Sequence, residues 1–303
     1  MKKVLILGGT YFLGRVCSIL AMDDPETELT ILNRGTYKFG DPDVRELHAD
    51  RRDAPALRAL PLEPEYDAVI DLCAYFPGDI SLALENLGTR IAQYIFVSTC
   101  NVYAHSDSVR GEGSPLLAEK PAGPESEYCW GKRVLEEELR AGCEKRGIKW
   151  TIFRPSFIYG PYNYAPREEW MFERADEGCV PVPTDATGKF TAVYVRDAAA
   201  ALLLAVKNEK AYSAAYNLAA PELLDYPAFM RALRAVADVE FDIKPVTVKQ
   251  VYEENIALPY PLDFSEAYSG ELVASSLGFE YTPFSEGMRK TFAAYRRRHP
   301  ISR

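Results

Sequence analysis

A doubly wound parallel α/β sheet followed by a smaller C-terminal lobe is the fold class this sequence predicts, and three observations predict it. Over the first 155 residues, short β-branched apolar runs alternate with longer amphipathic stretches, the rhythm of βαβ units feeding a parallel sheet. The first run, residues 4–7, breaks into a glycine-rich turn and then a helical pattern. After Pro155 the texture changes to segments rich in Tyr, Pro and Phe, and the first pattern returns only between residues 188 and 218. The expectation is a Rossmann-type sheet over 1–155, rejoined by 188–218, with 156–187 and 219–303 forming a lobe placed to receive a substrate.

In chain order, the strands are expected at 4–7, 29–33, 44–48, 68–72, 94–98 and 150–154, and the helices at 11–22, 53–60, 79–92 and 127–146. A helix at 197–207 and a strand at 216–218 complete the sheet.

Composition narrows the function classes. The chain has 303 residues, 48% of them hydrophobic and a formal charge of -9, so it can bury a full core without metal or disulfide staples. The apolar run of MKKVLILGG stops at Gly8, too short for a signal peptide, and no later stretch reaches the roughly 18 apolar residues of a membrane span. Six scattered cysteines without CxxC spacing fit a reducing cytoplasm. Three distant histidines, His48, His105 and His299, offer no metal-ligand spacing, so no metal is expected. An acidic chain whose one basic run is Arg296, Arg297 and Arg298 argues against nucleic acid as a partner.

The turn Gly8-Gly9-Thr10-Tyr11-Phe12-Leu13-Gly14 lies between a strand and a helix, the setting a dinucleotide diphosphate needs. Gly8 allows the tight turn, Gly14 lets the helix pack close, and the free N–H groups at the helix start attract the phosphates. Tyr11 stands where the GxxGxxG variant has its middle glycine. The neighbouring strand ends supply the other expected cofactor contacts, Leu72, Ala74, Ser98 and Pro155. The second strand ends Leu32-Asn33-Arg34 without the carboxylate that would hold the 2′-hydroxyl of NAD. Arg34 suits a 2′-phosphate and favours NADP over NAD, although an exposed strand-end arginine reads the same way. Asp50 is a candidate acceptor for the adenine amino group, or equally a solvated loop aspartate.

Tyr128 and Lys132 share one helical face, about 30 residues after a strand ending in Ser98 and Thr99. A phenol is a poor base at neutral pH, and an adjacent ammonium is expected to lower its pKa. Tyr128 would then exchange a proton with a substrate hydroxyl, Thr99 would hydrogen-bond the same oxygen, and Lys132 would also hold the nicotinamide ribose. A plain surface helix pair is the bland alternative. Cys100 and Cys129 read as packing.

GGTYFLG, VSTCNVY, YCWGK, RPSFIYGP and VYVRDAA, in this order and spacing, resemble the extended short-chain dehydrogenase/reductases, the NAD-dependent epimerase/dehydratase group. The GGTYFLG turn, the LNRG strand end and the GPYNYAPREEW segment are most similar to the branch with chloroplast stem-loop-binding proteins. The resemblance implies Tyr128 as catalytic acid/base, Lys132 as its electrostatic partner and Thr99 as the third member. It also implies a sugar or sugar-nucleotide-like substrate and a homodimer built on helices 79–92 and 127–146; the stripe Val134, Leu135, Glu138 and Leu139 is mixed in polarity and equally allows a monomer. Cys100 and Asn101 replace the Asp-Glu pair of the dehydratases, which favours epimerisation or simple oxidoreduction. Phe157 stands for a usual asparagine, Phe190 for a usual arginine and Tyr194 for a usual histidine. The runner-up is a non-catalytic or RNA-binding relative that keeps the fold.

Overall fold

The computed structural model describes residues 1–300. Its elements run β1 (Lys2–Leu7), α1 (Phe12–Asp23), β2 (Thr27–Asn33), β3 (Arg45–His48), α2 (Ala54–Arg58), β4 (Glu65–Asp71), α3 (Asp79–Asn86), β5 (Arg90–Val97), α4 (Ser126–Arg146) and β6 (Lys149–Pro155). There follow β7 (Phe157–Tyr159), α5 (Glu168–Asp176), β8 (Cys179–Pro183), β9 (Ala192–Tyr194), α6 (Val195–Leu204), β10 (Ala214–Leu218), α7 (Tyr226–Val236), β11 (Asp242–Val246), α8 (Val248–Glu253), α9 (Glu271–Leu277) and α10 (Phe284–Arg298).

Seven strands form one sheet in the order β10-β6-β5-β4-β1-β2-β3, with every pairing parallel. The order reverses between β1 and β4, the switch point at which such sheets open a crevice beyond their carboxyl ends. Pleating sends Val4 and Ile6 to one core and Leu5 and Leu7 to the other. Residues of α1 and α6 cover the first face, and Leu57 of α2, Ile80 of α3 and Leu135 of α4 cover the second. Because both faces are buried, the inner strands read as continuous apolar runs. Outside this sheet, β8 pairs with β11 and β7 with β9.

Local chemistry sets the helix ends. Asp53 accepts from the Ala56 N–H ahead of Pro55, and Asp225 accepts from the Ala228 N–H ahead of Pro227. Gly147, at φ 68°, ends α4 in the left-handed region that glycine adopts without strain.

Two expectations need correction. The helix read over 79–92 stops at Asn86, and Arg90 already belongs to β5, paired with Glu65. Ile91 continues the helical apolar spacing by coincidence, while its real partner is β4. Several strands also begin earlier than expected, at Thr27, Glu65, Arg90 and Lys149, because polar residues at the sheet's lower edge still ladder through their backbones. Of the expected dimer stripe, Leu135 and Leu139 are buried in the chain's own core. Glu138 is spent accepting the Gly78 and Ser81 N–H groups at the start of α3.

Candidate active-site cleft

The carboxyl ends of β1, β2, β4 and β5 open onto a cleft of about 1200 Å³. Of the residues expected to hold a cofactor, Gly8, Thr10, Tyr11, Phe12, Leu13, Gly14, Asn33, Arg34, Asp50, Leu72, Ser98, Lys132 and Pro155 line it, as do the expected catalytic residues Thr99 and Tyr128. Gly9 and Ala74 do not. A side chain on Gly9 would collide with Ser18 Oγ at 2.6 Å, so its role is the close packing of α1 on β1. Ala74 is enclosed in the core beside Leu7 and Ile80.

At the phosphate end the turn is built for close approach. Gly8 adopts φ 88°, and a Cβ on Gly14 would sit 2.1 Å from the Gly8 carbonyl oxygen. No side chain caps α1, so its first amides are left for a ligand. Phe12 takes φ 39°, a region bulky residues rarely enter, and this is local strain at a ligand-binding turn. Tyr11 does not block the turn. Its ring turns outward and stacks between Tyr37 at 5.0 Å and Tyr164 at 4.9 Å. These three rings also line a second, shallower hollow of about 500 Å³.

Beyond β2, Asn33 is tied up locally, donating to Glu46 at 2.7 Å and accepting from the Gly35 N–H. Arg34 is exposed and its guanidinium has no hydrogen-bond or ion-pair partner among the described residues. Asp50 is exposed too, and its carboxylate accepts from the Arg52 N–H at 2.9 Å. Sequence reasoning missed the neighbouring pair. Arg51 donates twice to Asp71, at 2.8 and 2.9 Å, and Tyr94 donates to the same carboxylate at 2.6 Å. Burial alone would raise the Asp71 carboxyl, but Arg51 and these hydrogen bonds outweigh it and hold the carboxyl below its ordinary range. The partners lie 20 residues apart, and the one available signal was an aspartate following the apolar run Ala68–Ile70.

The reactive centre lies where β5 ends. The Thr99 side chain lies close enough to the Tyr128 hydroxyl to favour its ionised form. Thr99 Oγ1 in turn accepts from the Asn101 N–H at 3.2 Å, which orients it. Lys132, one turn along α4 and 2% exposed, donates to the Val97 carbonyl at 2.8 Å. A Cβ on Gly131 would meet the Tyr75 carbonyl oxygen at 2.7 Å, so glycine lets α4 press onto this segment. The Lys132 ammonium consequently lies 4.6 Å from the Tyr75 ring centroid and 5.9 Å from that of Tyr128.

Burial, rather than the Lys132 ammonium, dominates at Tyr128. It pushes the phenol up to about 12, with the Thr99 side chain acting in the opposite direction. The ring is nevertheless 40% exposed, so a ligand in the cleft can reach it. Burial pushes Lys132 itself down to about 8, against the pull of Asp71 and Cys73. Cys100 donates to the Arg154 carbonyl and is raised well above an ordinary thiol by burial, and Cys129 is pushed up to about 11. Both are packing residues, as expected.

The residues fit a dinucleotide. Besides the glycine cradle and the uncapped helix start, Ser98 Oγ faces this cleft buried and without a hydrogen-bond partner among the described residues.

At the far end, Phe157 lines the cleft, while Phe190 is buried behind it and stacks on Tyr260 at 4.1 Å. Tyr194 is buried against Tyr159. Residues absent from the sequence-based set complete this end, notably Asn101, Glu125, Arg167 and Glu266.

Comparison with known proteins agrees with this geometry. Residues 4–219 match the NAD dependent epimerase/dehydratase family. The chain is 30% identical over 246 residues to the chloroplast stem-loop binding protein of 41 kDa b of Arabidopsis thaliana, covering 76% of this chain and 62% of that protein, so it spans less than two thirds of that relative's length. It is 24% identical to dTDP-glucose 4,6-dehydratase 1 of Escherichia coli (strain K12), over 97% of this chain and 92% of that enzyme. Among solved structures, UDP-glucuronic acid 4-epimerase from Bacillus cereus, in complex with UDP-glucuronic acid and NAD, superposes with a TM-score of 0.76 at 13% identity, covering 97% of this chain and 99% of that one. From the ordered motifs, the sheet and the matched family, we conclude that this chain belongs to the NAD dependent epimerase/dehydratase family.

Proposed function

We propose that the chain is an NAD(P)-dependent oxidoreductase or epimerase acting on a secondary alcohol of a sugar-like substrate, with Tyr128 as the proton carrier. One observation carries this reading: Tyr128, Thr99 and a buried Lys132 line the same cleft as an uncapped glycine turn. The chemistry supplied by a nicotinamide coenzyme bound there is hydride transfer. Gly8, Gly14 and the first amides of α1 would hold its diphosphate, Arg34 its 2′-phosphate if it is NADP, and Ser98 and Lys132 the nicotinamide half.

The chain's own part is proton handling. With its pKa near 12, Tyr128 is a neutral phenol at pH 7, ready to give its Oη proton to an alkoxide formed when a carbonyl is reduced. Thr99 Oγ1 sits beside that hydroxyl and would hold the same substrate oxygen. In the oxidising direction Tyr128 must first lose its proton, and the Lys132 cation is positioned to stabilise the phenolate, though its effect in the ligand-free site is small. Cys100 and Asn101 supply no carboxyl group for water elimination, so epimerase or reductase chemistry is favoured over dehydration. Residues 156–187 and 219–303 are read as the substrate lobe, and six unpaired cysteines suit a reducing cytoplasm.

The test is titration of NADPH and NADH fluorescence against wild type and Tyr128→Phe, followed by turnover of candidate ketoses and sugar nucleotides. Both chains should bind coenzyme alike, and the variant should lose about 100-fold or more in turnover. Unchanged turnover in Tyr128→Phe would remove the assignment.

A further inference from the structure

Two carboxylates, Glu125 and Glu266, and the guanidinium of Arg167 line the cleft that holds Thr99 and the reactive phenol of Tyr128. Glu266 lies in the segment after α8. Its backbone is bonded on both sides, the N–H donating to Lys189 and the carbonyl accepting from the Thr191 N–H. Its half-buried side chain, by contrast, has no hydrogen-bond or ion-pair partner among the described residues and opens into the cleft. Arg110 and Arg167 act on it only at a distance. Arg110 donates to the Ser265 carbonyl and stacks on Tyr268, and Arg167 lies over the Phe157 ring and donates to the Ile158 carbonyl.

A rigidly mounted carboxylate without a donor is an acceptor waiting for one. Leaving such a group unpaired costs free energy that a ligand hydroxyl can recover. A nucleoside diphosphate needs the opposite lining, several cations or free amides converging on its phosphates. Of the cleft's other cations, Arg34, Arg51 and Arg52 lie at the coenzyme end and Lys132 donates to the Val97 carbonyl, and Phe190 stacked on Tyr260 fills the corner behind Phe157.

We propose that Glu266 is a substrate-binding residue that accepts a hydroxyl of a neutral polyol or free sugar, and that this site selects such a substrate over a nucleoside-diphosphate sugar. The proposal rests on the oxidoreductase reading above and names its substrate class. Burial holds the Glu266 carboxyl up at about 7 and so marks it as poorly solvated while no ligand donor is present.

The test is calorimetric titration of the full chain, with and without NADP+, using a panel of neutral aldoses and alditols and UDP-glucose as probes. At least one neutral compound should bind about tenfold or more tightly than UDP-glucose. Glu266→Gln should weaken that compound about tenfold or more, the scale of a hydrogen bond to a charged acceptor, while coenzyme affinity is retained. Glu266→Asp, which keeps the charge on a shorter arm, should recover part of the loss and stands in if the Gln chain fails to fold. The proposal is overturned if UDP-glucose binds more tightly than every neutral probe, if none of them binds, or if the Glu266 variants bind like wild type. Failure of NADP+ to bind would instead count against the oxidoreductase reading, because the coenzyme-free titration still reports on Glu266.

Discussion

The guanidinium of Arg154 on β6 grips the carboxylate of Glu136 on α4 through two hydrogen bonds of 2.8 and 2.6 Å, with both side chains almost wholly enclosed. Arg154 also donates to the Tyr103 hydroxyl at 2.8 Å, and Tyr103 donates to Asn217 of β10 at 2.7 Å. The helix that carries Tyr128 and Lys132 is thereby bolted to the sheet one turn beyond the reactive pair.

Removing one partner of that pair leaves an uncompensated charge in the interior. Glu136→Gln should therefore cost about 3–5 kcal/mol in urea unfolding, whereas the double change Glu136→Leu with Arg154→Met should cost clearly less. Equal losses in the two chains would show that the pair does not act as a unit.

In the proposed coenzyme site, Arg34 is the residue that would select NADP over NAD. Because it is exposed and unpaired, Arg34→Asp should shift the ratio of NADPH to NADH affinity at least tenfold towards NADH, read by coenzyme fluorescence. A ratio that stays put assigns the selection elsewhere.

Lys132 ties stability to alkaline pH. Its folded pKa, about 8, is below the ordinary 10.5, so the folded chain holds this proton less tightly than the unfolded chain does. The cost of the buried charge is full below pH 8 and is relieved as the pH rises towards 10.5. Between pH 7 and 10 wild type should thus gain on Lys132→Met by up to roughly 3 kcal/mol in paired denaturant titrations. A constant gap between the two chains would show that this lysine titrates normally.

Glu168 has the opposite sign. Fully enclosed, it accepts from the Gly160 N–H at 2.9 Å and from Asn163 Nδ2 at 3.1 Å, fastening the segment that carries Tyr164 and Arg167. Burial raises its carboxyl from 4.5 to about 7, so the stability it contributes is complete below pH 4.5 and lost as the pH climbs through 7. Over that window wild type should lose ground to Glu168→Gln, again by up to roughly 3 kcal/mol. Parallel pH profiles would contradict this.

The coenzyme half of the cleft was legible because its signals are local. Gly8 and Gly14 answer a backbone requirement within one turn, and Tyr128 and Lys132 share a helical face at fixed spacing. The substrate half was not legible. Glu266 sits in a segment without periodicity and reaches the site through pairing with residues 189 and 191. Arg51, in the loop after β3, and Asp71, at the end of β4, meet only in the folded sheet, across the ends of the strands between them. The Tyr128 environment was only half legible for a related reason: helical spacing shows that an ammonium is near, but not how far burial raises the phenol.

The stacked rings of Tyr37, Tyr11 and Tyr164 come from three separate stretches of chain and form the partition between the large cleft and the shallow hollow beside it. Swinging this wall aside would join the two spaces but break two ring contacts, each worth about 0.5–1.5 kcal/mol. At a total of about 2 kcal/mol, roughly one molecule in thirty stands ajar at any instant.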